Sequence, residues 1–229
     1  MNVTYIHHSY FLAETARFYY LFDYESGALP PMDVQKPVLV LSSHSHGDHY
    51  NPEVFSLLAR CGMLQVRAVL SDDIDVPKHA NTLSVSPGKE YCLGPQQTLT
   101  TFRSTDLGVA FLIEDGQELI YHAGDLNDWV WEGEPEDYNT RMTADYRRQI
   151  DLLAETLKGR EIDAAFVVLD PRQEKDYDRG LCYFLENISA KRVIPMHYWG
   201  KPDVIETFLM EHPEYTDKIQ RFVRERGTL

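Results

Sequence analysis

The stretch that decides the fold runs from residue 37 to residue 50 and reads PVLVLSSHSHGDHY. Its first part, Pro37 to Leu41, is apolar and contains β-branched side chains, which predicts a buried strand. A second apolar run, residues 54–58, comes after the polar motif and is predicted to be helical. Pro52 suits the first turn of that helix. Between them, three histidines and one aspartate fall within six residues. This polar cluster is therefore expected in a tight turn at the carboxyl end of a buried strand, where open sheets place ligands.

The spacing of the polar residues indicates metal binding. His44 and His46 are two residues apart, so in near-extended backbone their imidazoles lie on one side and can share a metal ion. Asp48 and His49 are adjacent, so their side chains diverge and can reach a second ion. Gly47 allows the backbone to bend sharply between the two pairs.

This His-x-His-x-Asp-His motif after a hydrophobic strand resembles that of the metallo-β-lactamase-fold hydrolases. Two later segments fit the family in chain order: YHAGD at 121–125, and VIPMH at 193–197. The segment TYIHHS at 4–9 resembles the opening strand and turn of the branch that includes the L-ascorbate-6-phosphate lactonases. The resemblance covers nearly the whole chain and implies an α/β (α+β) fold, the four-layer αβ/βα sandwich. The length of 229 residues suits a single domain over 1–229.

The resemblance also implies a set of metal ligands, with Asp125 in the place of the aspartate that bridges two metals. The full implied set is His44, His46, Asp48, His49, Asp125 and His197. One or two divalent ions, zinc, manganese or iron, are expected.

The chain departs from the family pattern before residue 109. Metallo-β-lactamase-fold enzymes usually carry another metal histidine there, whereas residues 103–108 read RSTDLG. In one interpretation Asp106 replaces the imidazole, as a ligand or as a hydrogen-bonding group for metal-bound water, which favours Mn²⁺, Fe²⁺ or Mg²⁺. In the other, the first site is weak and one ion dominates at the second. Ser104 is a further candidate for the missing group.

The implied activity is that of a metal-dependent hydrolase, in which a metal-activated water attacks a carbonyl or phosphorus centre. Asp48 is expected to orient the water and take its proton, with Asp106 as a second catalytic candidate. Tyr198 could donate a hydrogen bond to a developing oxyanion. The expected substrate is a small anionic molecule, a lactone or a phosphoester.

Four residues are candidates for substrate binding: Asn127, Trp129, Arg172 and Trp199. Trp129 and Trp131 either wall a substrate pocket or pack over the sheet edge. Arg172 either binds a phosphate or carboxylate of the substrate or forms a structural ion pair with Asp170. His7 and His8 lie on a predicted turn, where supporting or packing roles are favoured over metal ligation.

The net charge of the chain limits the classes of function that fit it. The net charge of −14 argues against a nucleic-acid partner, because binding phosphates needs clustered Lys and Arg. A nuclease-type phosphodiesterase is therefore the weaker alternative, and a non-catalytic metal-binding protein with a degraded first site is another.

Three scattered cysteines without a CxxC pair indicate buried packing in a reducing compartment. No signal peptide and no apolar run of membrane-spanning length are apparent, so a cytoplasmic location without a membrane partner is expected. Assembly into a homo-oligomer is left open.

Periodicity and turn residues predict the remaining elements. Strands are expected over residues 2–25 and 64–105. A hairpin is expected over 109–123, with its turn at Asp115-Gly116. A helix is expected over 140–158, followed by a buried strand over 164–169. The later predicted elements are a helix from Tyr177 to Ile188, a strand from Arg192 to Met196, and amphipathic helices over 203–210 and 219–226.

Overall fold

A computed structural model describes residues 1–75 and 81–222 of the chain and contains two six-stranded sheets. The strands of the first sheet are, in spatial order, β1 (Asn2–His7), β2 (Tyr10–Glu14), β3 (Tyr19–Phe22), β4 (Val38–Ser42), β5 (Val66–Ser71) and β6 (Thr82–Val85). Those of the second sheet are, from one edge to the other, β12 (Val193–Met196), β11 (Ala164–Val168), β10 (Glu118–His122), β9 (Val109–Asp115), β8 (Gln97–Arg103) and β7 (Glu90–Gly94).

Within the described residues, four α-helices and two short 3₁₀ helices accompany the sheets. The α-helices are α1 (Glu53–Arg60), α2 (Glu136–Leu157), α3 (Arg179–Asn187) and α4 (Asp203–Glu211), and the 3₁₀ helices are Pro171–Asp176 and Pro213–Tyr215. Among the helices described in residues 1–75 and 81–222, none is long and apolar enough to cross a membrane.

Strand direction places several loops at common edges. In the first sheet β3, β4, β5 and β6 run parallel, and in the second β10, β11 and β12 run parallel. The remaining neighbours pair antiparallel. The carboxyl ends of parallel strands lie at one edge of a sheet. The loops after β3 and β4 are therefore neighbours, as are those after β10, β11 and β12.

The main core lies between the two sheets. Phe11 and Phe22 of the first sheet pack on Phe166 of the second, with ring centroids 4.7 and 5.6 Å apart. The outer face of the first sheet packs against α1 through Val54 and Leu58, which lie four residues apart on one side of that helix. Helices α2 and α3 pack on the second sheet. The predicted four-layer αβ/βα sandwich is thus confirmed.

Most predicted elements are present within a few residues, but the C-terminal helix is wrong in its described part. Ile219 forms a parallel bridge with Val193, and the Val193 N–H donates to the Lys218 carbonyl at 2.8 Å. Because β12 is an edge strand, its open backbone groups pair with this segment and draw it away from helical geometry. Residues 223–226 of the predicted helix lie outside the described residues.

Two loops of the second sheet pack tightly against Ser43, at the start of the histidine motif. Gly108 and Gly124 both have left-handed backbone, with φ of +67° and +54°. A Cβ at Gly108 would lie 2.0 Å from the Ser43 carbonyl oxygen, and one at Gly124 would lie 2.6 Å from the Ser43 Cβ. The Val109 N–H donates to that carbonyl at 2.9 Å. Only glycine at both positions allows the loops of the second sheet to pack on the histidine motif.

We expect Gly124→Ala to lower the free energy of unfolding by about 2–4 kcal/mol, because it adds steric overlap to an unfavourable φ. The matched control is Gly116→Ala, since Gly116 has a φ of +65° but a Cβ added there would have no atom within 4 Å. The control should lose only about 1 kcal/mol. Urea denaturation followed by circular dichroism measures both values, and equal losses would contradict the close approach.

Candidate metal centre

Two groups of potential metal ligands meet at the shared edge of the sheets. One contains His8, Asp48, His49 and His197, and the other contains His44, His46, Asp106 and Asp125. Within each group, the ligand atoms all lie within 4.8 Å of one another. Every residue that the sequence nominated as a metal ligand therefore lies in one of the two groups.

The carboxylate of Asp125 lies between the two groups. Its Oδ1 is 3.2 Å from His49 Nε2 and 3.3 Å from His197 Nε2. Its Oδ2 is 3.6 Å from His44 Nε2. One oxygen thus faces each group, which is the arrangement a carboxylate needs to bridge two ions.

Several buried atoms at this place have no hydrogen-bond partner. They are the Nε2 atoms of His8, His49 and His197 and the Oδ1 atom of Asp125. Buried polar atoms in folded proteins are almost always paired, because an unpaired one loses its hydration without compensation. A divalent cation would satisfy all four atoms, and imidazole nitrogens with carboxylate oxygens suit zinc, manganese or iron. The residues present therefore fit a metal centre.

The buried carboxylate of Asp23 orients the histidine motif. It accepts hydrogen bonds from the Ser43 N–H at 2.7 Å and from the Ser43 hydroxyl at 2.8 Å. His49 Nδ1 lies 2.8 Å from the same carboxylate, and His44 Nδ1 lies 3.0 Å from the Ser43 hydroxyl. With Nδ1 held in this way, the Nε2 atoms of both rings face the centre. Such outer partners fix the tautomer and ring orientation of metal-binding histidines.

A second buried carboxylate, Asp170, does the same for His197. Its Oδ2 lies 3.0 Å from His197 Nδ1, which leaves Nε2 facing Asp125. The same carboxylate accepts from Arg172 through Nε and Nη2, at 2.9 and 2.6 Å, and from the Trp199 indole at 3.2 Å. The structural ion pair considered for Arg172 is therefore formed.

Burial sets the protonation of the centre. It lowers the pKa of His44 and His49 to about 3 and the pKa of His197 to about 4, so these rings are neutral near pH 7. Burial, followed by the nearby carboxylates of Asp23, Asp106 and Asp48, raises the pKa of Asp125 well above its usual value. Acidic groups and neutral imidazoles thus converge where a cation would stabilise them.

Asp106 lies in the loop between β8 and β9, beside the histidine motif. Its Oδ2 is 3.6 Å from His46 Nδ1, and its side chain is partly exposed. The Ser104 hydroxyl accepts a hydrogen bond from the Asp106 N–H at 3.1 Å, so Ser104 shapes the loop. The replacement of the imidazole by Asp106 stays a prediction.

The aromatic candidates lie beside the centre. The Trp129 indole donates to the Asp125 carbonyl at 2.8 Å and stacks on Trp131, with ring centroids 5.7 Å apart. Both indoles line a cavity of about 170 Å³, which Asp125 and Arg172 also line. Trp129 therefore packs against the loop that carries Asp125 and also lines the cavity. The partly exposed Trp199 ring lies 4.4 Å from the Arg172 guanidinium carbon.

Two other predicted site residues are buried among protein groups. Asn127 donates through Nδ2 to Gln173 at 2.7 Å, and its backbone N–H donates to the Thr105 hydroxyl at 3.0 Å. The Tyr198 ring is buried and lies 5.7 Å from the Tyr5 ring. Substrate contact by Asn127 and oxyanion binding by Tyr198 stay predictions.

Sequence reasoning missed Asp23 and gave His8 only a supporting role. His8 Nε2 lies 3.4 Å from Asp48 Oδ2, and the neighbouring His8 imidazole holds the pKa of Asp48 well below its usual value. The signal for Asp23 was its position directly after an apolar strand, next to the strand that carries the motif. The backbone φ of 45° at Asp23 and 48° at His8 also marks both as unusual positions.

Comparison with known proteins identifies the fold. No protein-family model matches the chain. No curated protein sequence matches it either. A metallo hydrolase from the hyperthermophilic archaeon Ignicoccus hospitalis superposes with a TM-score of 0.65 at 16% identity, covering 99% of this chain and 95% of that one. The metallo-beta-lactamase fold protein YhfI from Bacillus subtilis gives a TM-score of 0.56 at 13% identity, covering 93% and 88%.

A third solved structure with this architecture carries a different chemistry. CmlA, a diiron beta-hydroxylase from Streptomyces venezuelae, gives a TM-score of 0.54 at 13% identity, covering 95% of this chain and 52% of that one. These likenesses, together with the two-sheet topology, show that the chain has the metallo-β-lactamase fold. Identities of this size establish the architecture and leave the activity to be argued from the site.

We expect Asp23→Asn to weaken zinc affinity by about 10- to 100-fold, because the amide cannot accept from Ser43 and His49 at both oxygens. Competition with a chromophoric chelator measures the affinity. The matched control is Asp115→Asn, which alters another buried acid, one that accepts from Thr15 and Arg17. Equal zinc affinity in the two folded variants would contradict the orienting role of Asp23.

Proposed function

We propose that the protein is a metal-dependent hydrolase that acts on a small anionic molecule, with a lactone or a phosphoester as the group that is cleaved. The observation that carries the proposal is the convergence of unpartnered Nε2 atoms of His49 and His197 on Oδ1 of Asp125. When bound there, a divalent ion acidifies water and polarises the group under attack. Zinc, manganese and iron all suit this ligand set.

Asp48 is the proposed general base. Its side chain is 30% exposed, so water and substrate can reach it, whereas Asp125 is nearly buried. The hydrogen bond from His8 lowers the pKa of Asp48, so the carboxylate is ionised and accepts hydrogen bonds, but this shift makes it a weaker base. The proposed role therefore rests on its position and exposure beside the centre. An ionised, accessible carboxylate beside the centre can orient a water molecule and accept its proton.

The surface beside the centre supports an anionic substrate. The cavity with the tryptophan walls adjoins a second cavity of about 390 Å³, and both are lined by Thr105, Asp106, Tyr138 and Met142. Three arginines, Arg103, Arg141 and Arg148, line this second cavity together with two carboxylates, and Arg148 pairs with one of them, Asp145, at 2.8 Å. Guanidinium groups bind carboxylates and phosphates well. The resemblance to the L-ascorbate-6-phosphate lactonases makes a phosphorylated, sugar-like lactone the specific candidate.

Two other functions are compatible with the same metal centre, and the activity assay described below distinguishes them from the proposed hydrolase. The net charge of −14 weighs against a nuclease-type phosphodiesterase, since it opposes approach of a polyanion. A non-catalytic metal-binding protein would share the centre but show no turnover. The proposed partner is thus a small molecule rather than nucleic acid or a membrane, and the proposed location is the cytoplasm.

Asp48→Asn should lower kcat for hydrolysis by at least about 100-fold, because the amide cannot accept the proton of water. Turnover is measured with panels of lactones and phosphoesters in the presence of zinc, manganese or iron. Metal content is measured in the same samples, so that loss of an ion is distinguished from loss of the base. Metal binding without turnover of any panel member by the unaltered protein would favour the non-catalytic alternative, and unchanged kcat in the variant would remove Asp48 as the base.

Replacing Arg103, Arg141 or Arg148 singly by Gln should raise KM for an anionic substrate about tenfold, since one charge-assisted contact is lost. A change confined to KM is expected because these side chains line the cavity and do not belong to the ligand groups. Arg160→Gln is the matched control, since Arg160 also pairs with a carboxylate, that of Glu114, but does not line this cavity. Should all three variants keep the original KM for the anion, the cavity is not its binding site.

A further inference from the structure

A separate cluster of three chemically different ligand atoms lies between α3 and α4. His212 Nε2 is 2.8 Å from Asp178 Oδ2 and 3.6 Å from Cys182 Sγ. The sulfur is 3.8 Å from the same Asp178 oxygen. All three side chains are partly buried, and none belongs to the candidate metal centre.

The sequence and the helix packing together create this cluster. Asp178 and Cys182 are four residues apart, so they lie on one side of the first turn of α3. His212 directly follows the last residue of α4. Asp178 occupies the N-cap position of α3, yet its side chain makes no capping hydrogen bond. Its carboxylate is directed at Cys182 and His212 instead of at the helix N–H groups.

The imidazole of His212 is held on its other side. Its Nδ1 lies 3.8 Å from Glu214 Oε1, and its ring centroid lies 4.7 Å from that of Phe208. A carboxylate facing the second nitrogen is the usual companion of a histidine that binds a metal through the first. The ring is therefore arranged to present Nε2 to the cluster.

A cysteine-histidine nucleophile does not fit this geometry. In such a site the acid contacts one ring nitrogen and the thiol contacts the other. Here Asp178 and Cys182 both approach Nε2 of His212. Burial, followed by the charge of Asp178, also raises the pKa of the Cys182 thiol to about 12 in the absence of a cation, so the sulfur is not a free thiolate.

We propose that Asp178, Cys182 and His212 bind a Zn²⁺ ion that ties the start of α3 to the end of α4. One sulfur, one nitrogen and one oxygen form a ligand set that zinc favours, and water would complete the tetrahedron. The side chains of Asp178 and His212 are 22% and 25% exposed, which gives solvent access to the fourth position. Binding converts the Cys182 thiol to a thiolate and releases its proton to solvent, one per ion.

Cobalt tests the site directly, because Co²⁺ bound to a thiolate has a near-ultraviolet charge-transfer band. The candidate metal centre contains no cysteine, so this band does not arise from that centre, and the cysteine variants assign it to one thiol. Titration of the full chain with Co²⁺ should produce the band, and added Zn²⁺ should abolish it. Cys182→Ser should remove the band. Cys61→Ser and Cys92→Ser should keep it; both of these cysteines are exposed, so the prediction of buried packing is wrong for them.

Two further variants extend the test. Asp178→Asn and His212→Asn should each weaken Co²⁺ binding at the thiolate by about tenfold or more. Circular dichroism and retained metal at the candidate centre show that each variant is folded. Absence of the band from the folded, cobalt-saturated protein would overturn the proposal, and so would an undiminished band in Cys182→Ser. Asp48→Asn should keep the band, so this result is independent of the proposed hydrolase activity.

Discussion

The structure depends on a buried carboxylate that organises a neighbouring loop. Asp23 is removed from solvent, and the Ser43 backbone, the Ser43 hydroxyl and the His49 ring all contact it. An isolated charge in such a place would be strongly destabilising. These contacts compensate its burial and at the same time fix the rotation of the His49 ring. The stability of the loop and the orientation of the candidate ligands therefore have one cause.

The close packing of the two sheets explains why the centre stays in place. Gly108 and Gly124 allow the second sheet to reach Ser43, which brings Asp125 against His49. Because protein interiors are packed as densely as organic crystals, Asp125 cannot move away from the neighbouring carboxylates, which oppose its negative charge. Burial and neighbouring carboxylates raise the pKa of Asp125, which shows how unfavourable its charge is without a cation. The fold thus holds a set of groups that a divalent ion would stabilise.

The described part of the chain carries the candidate metal centre and a separate helical cluster, which differ in chemistry and lie on different layers. The sheet edge presents imidazoles and carboxylates, which suit an ion that must activate water. The helical layer presents a thiol beside an imidazole and a carboxylate, between α3 and α4. A zinc ion there would act on the helices themselves, because it would cross-link elements that are 30 residues apart at Cys182 and His212. The first cluster is suited to catalysis and the second to structural stability.

The sequence alone determined the local parts of this protein. The apolar run before His44, the spacing of the motif and the Asp115-Gly116 turn are each encoded within a few residues, so strand, ligand turn and hairpin were predictable. The partners of those ligands were decided only by tertiary structure, since Asp23 meets His49 through the parallel pairing of β3 with β4. The same holds for Ile219, which follows a helical pattern but pairs with the edge strand β12. Local patterns record which face of an element is apolar, whereas contacts between distant residues arise only when the sheets assemble and bury them.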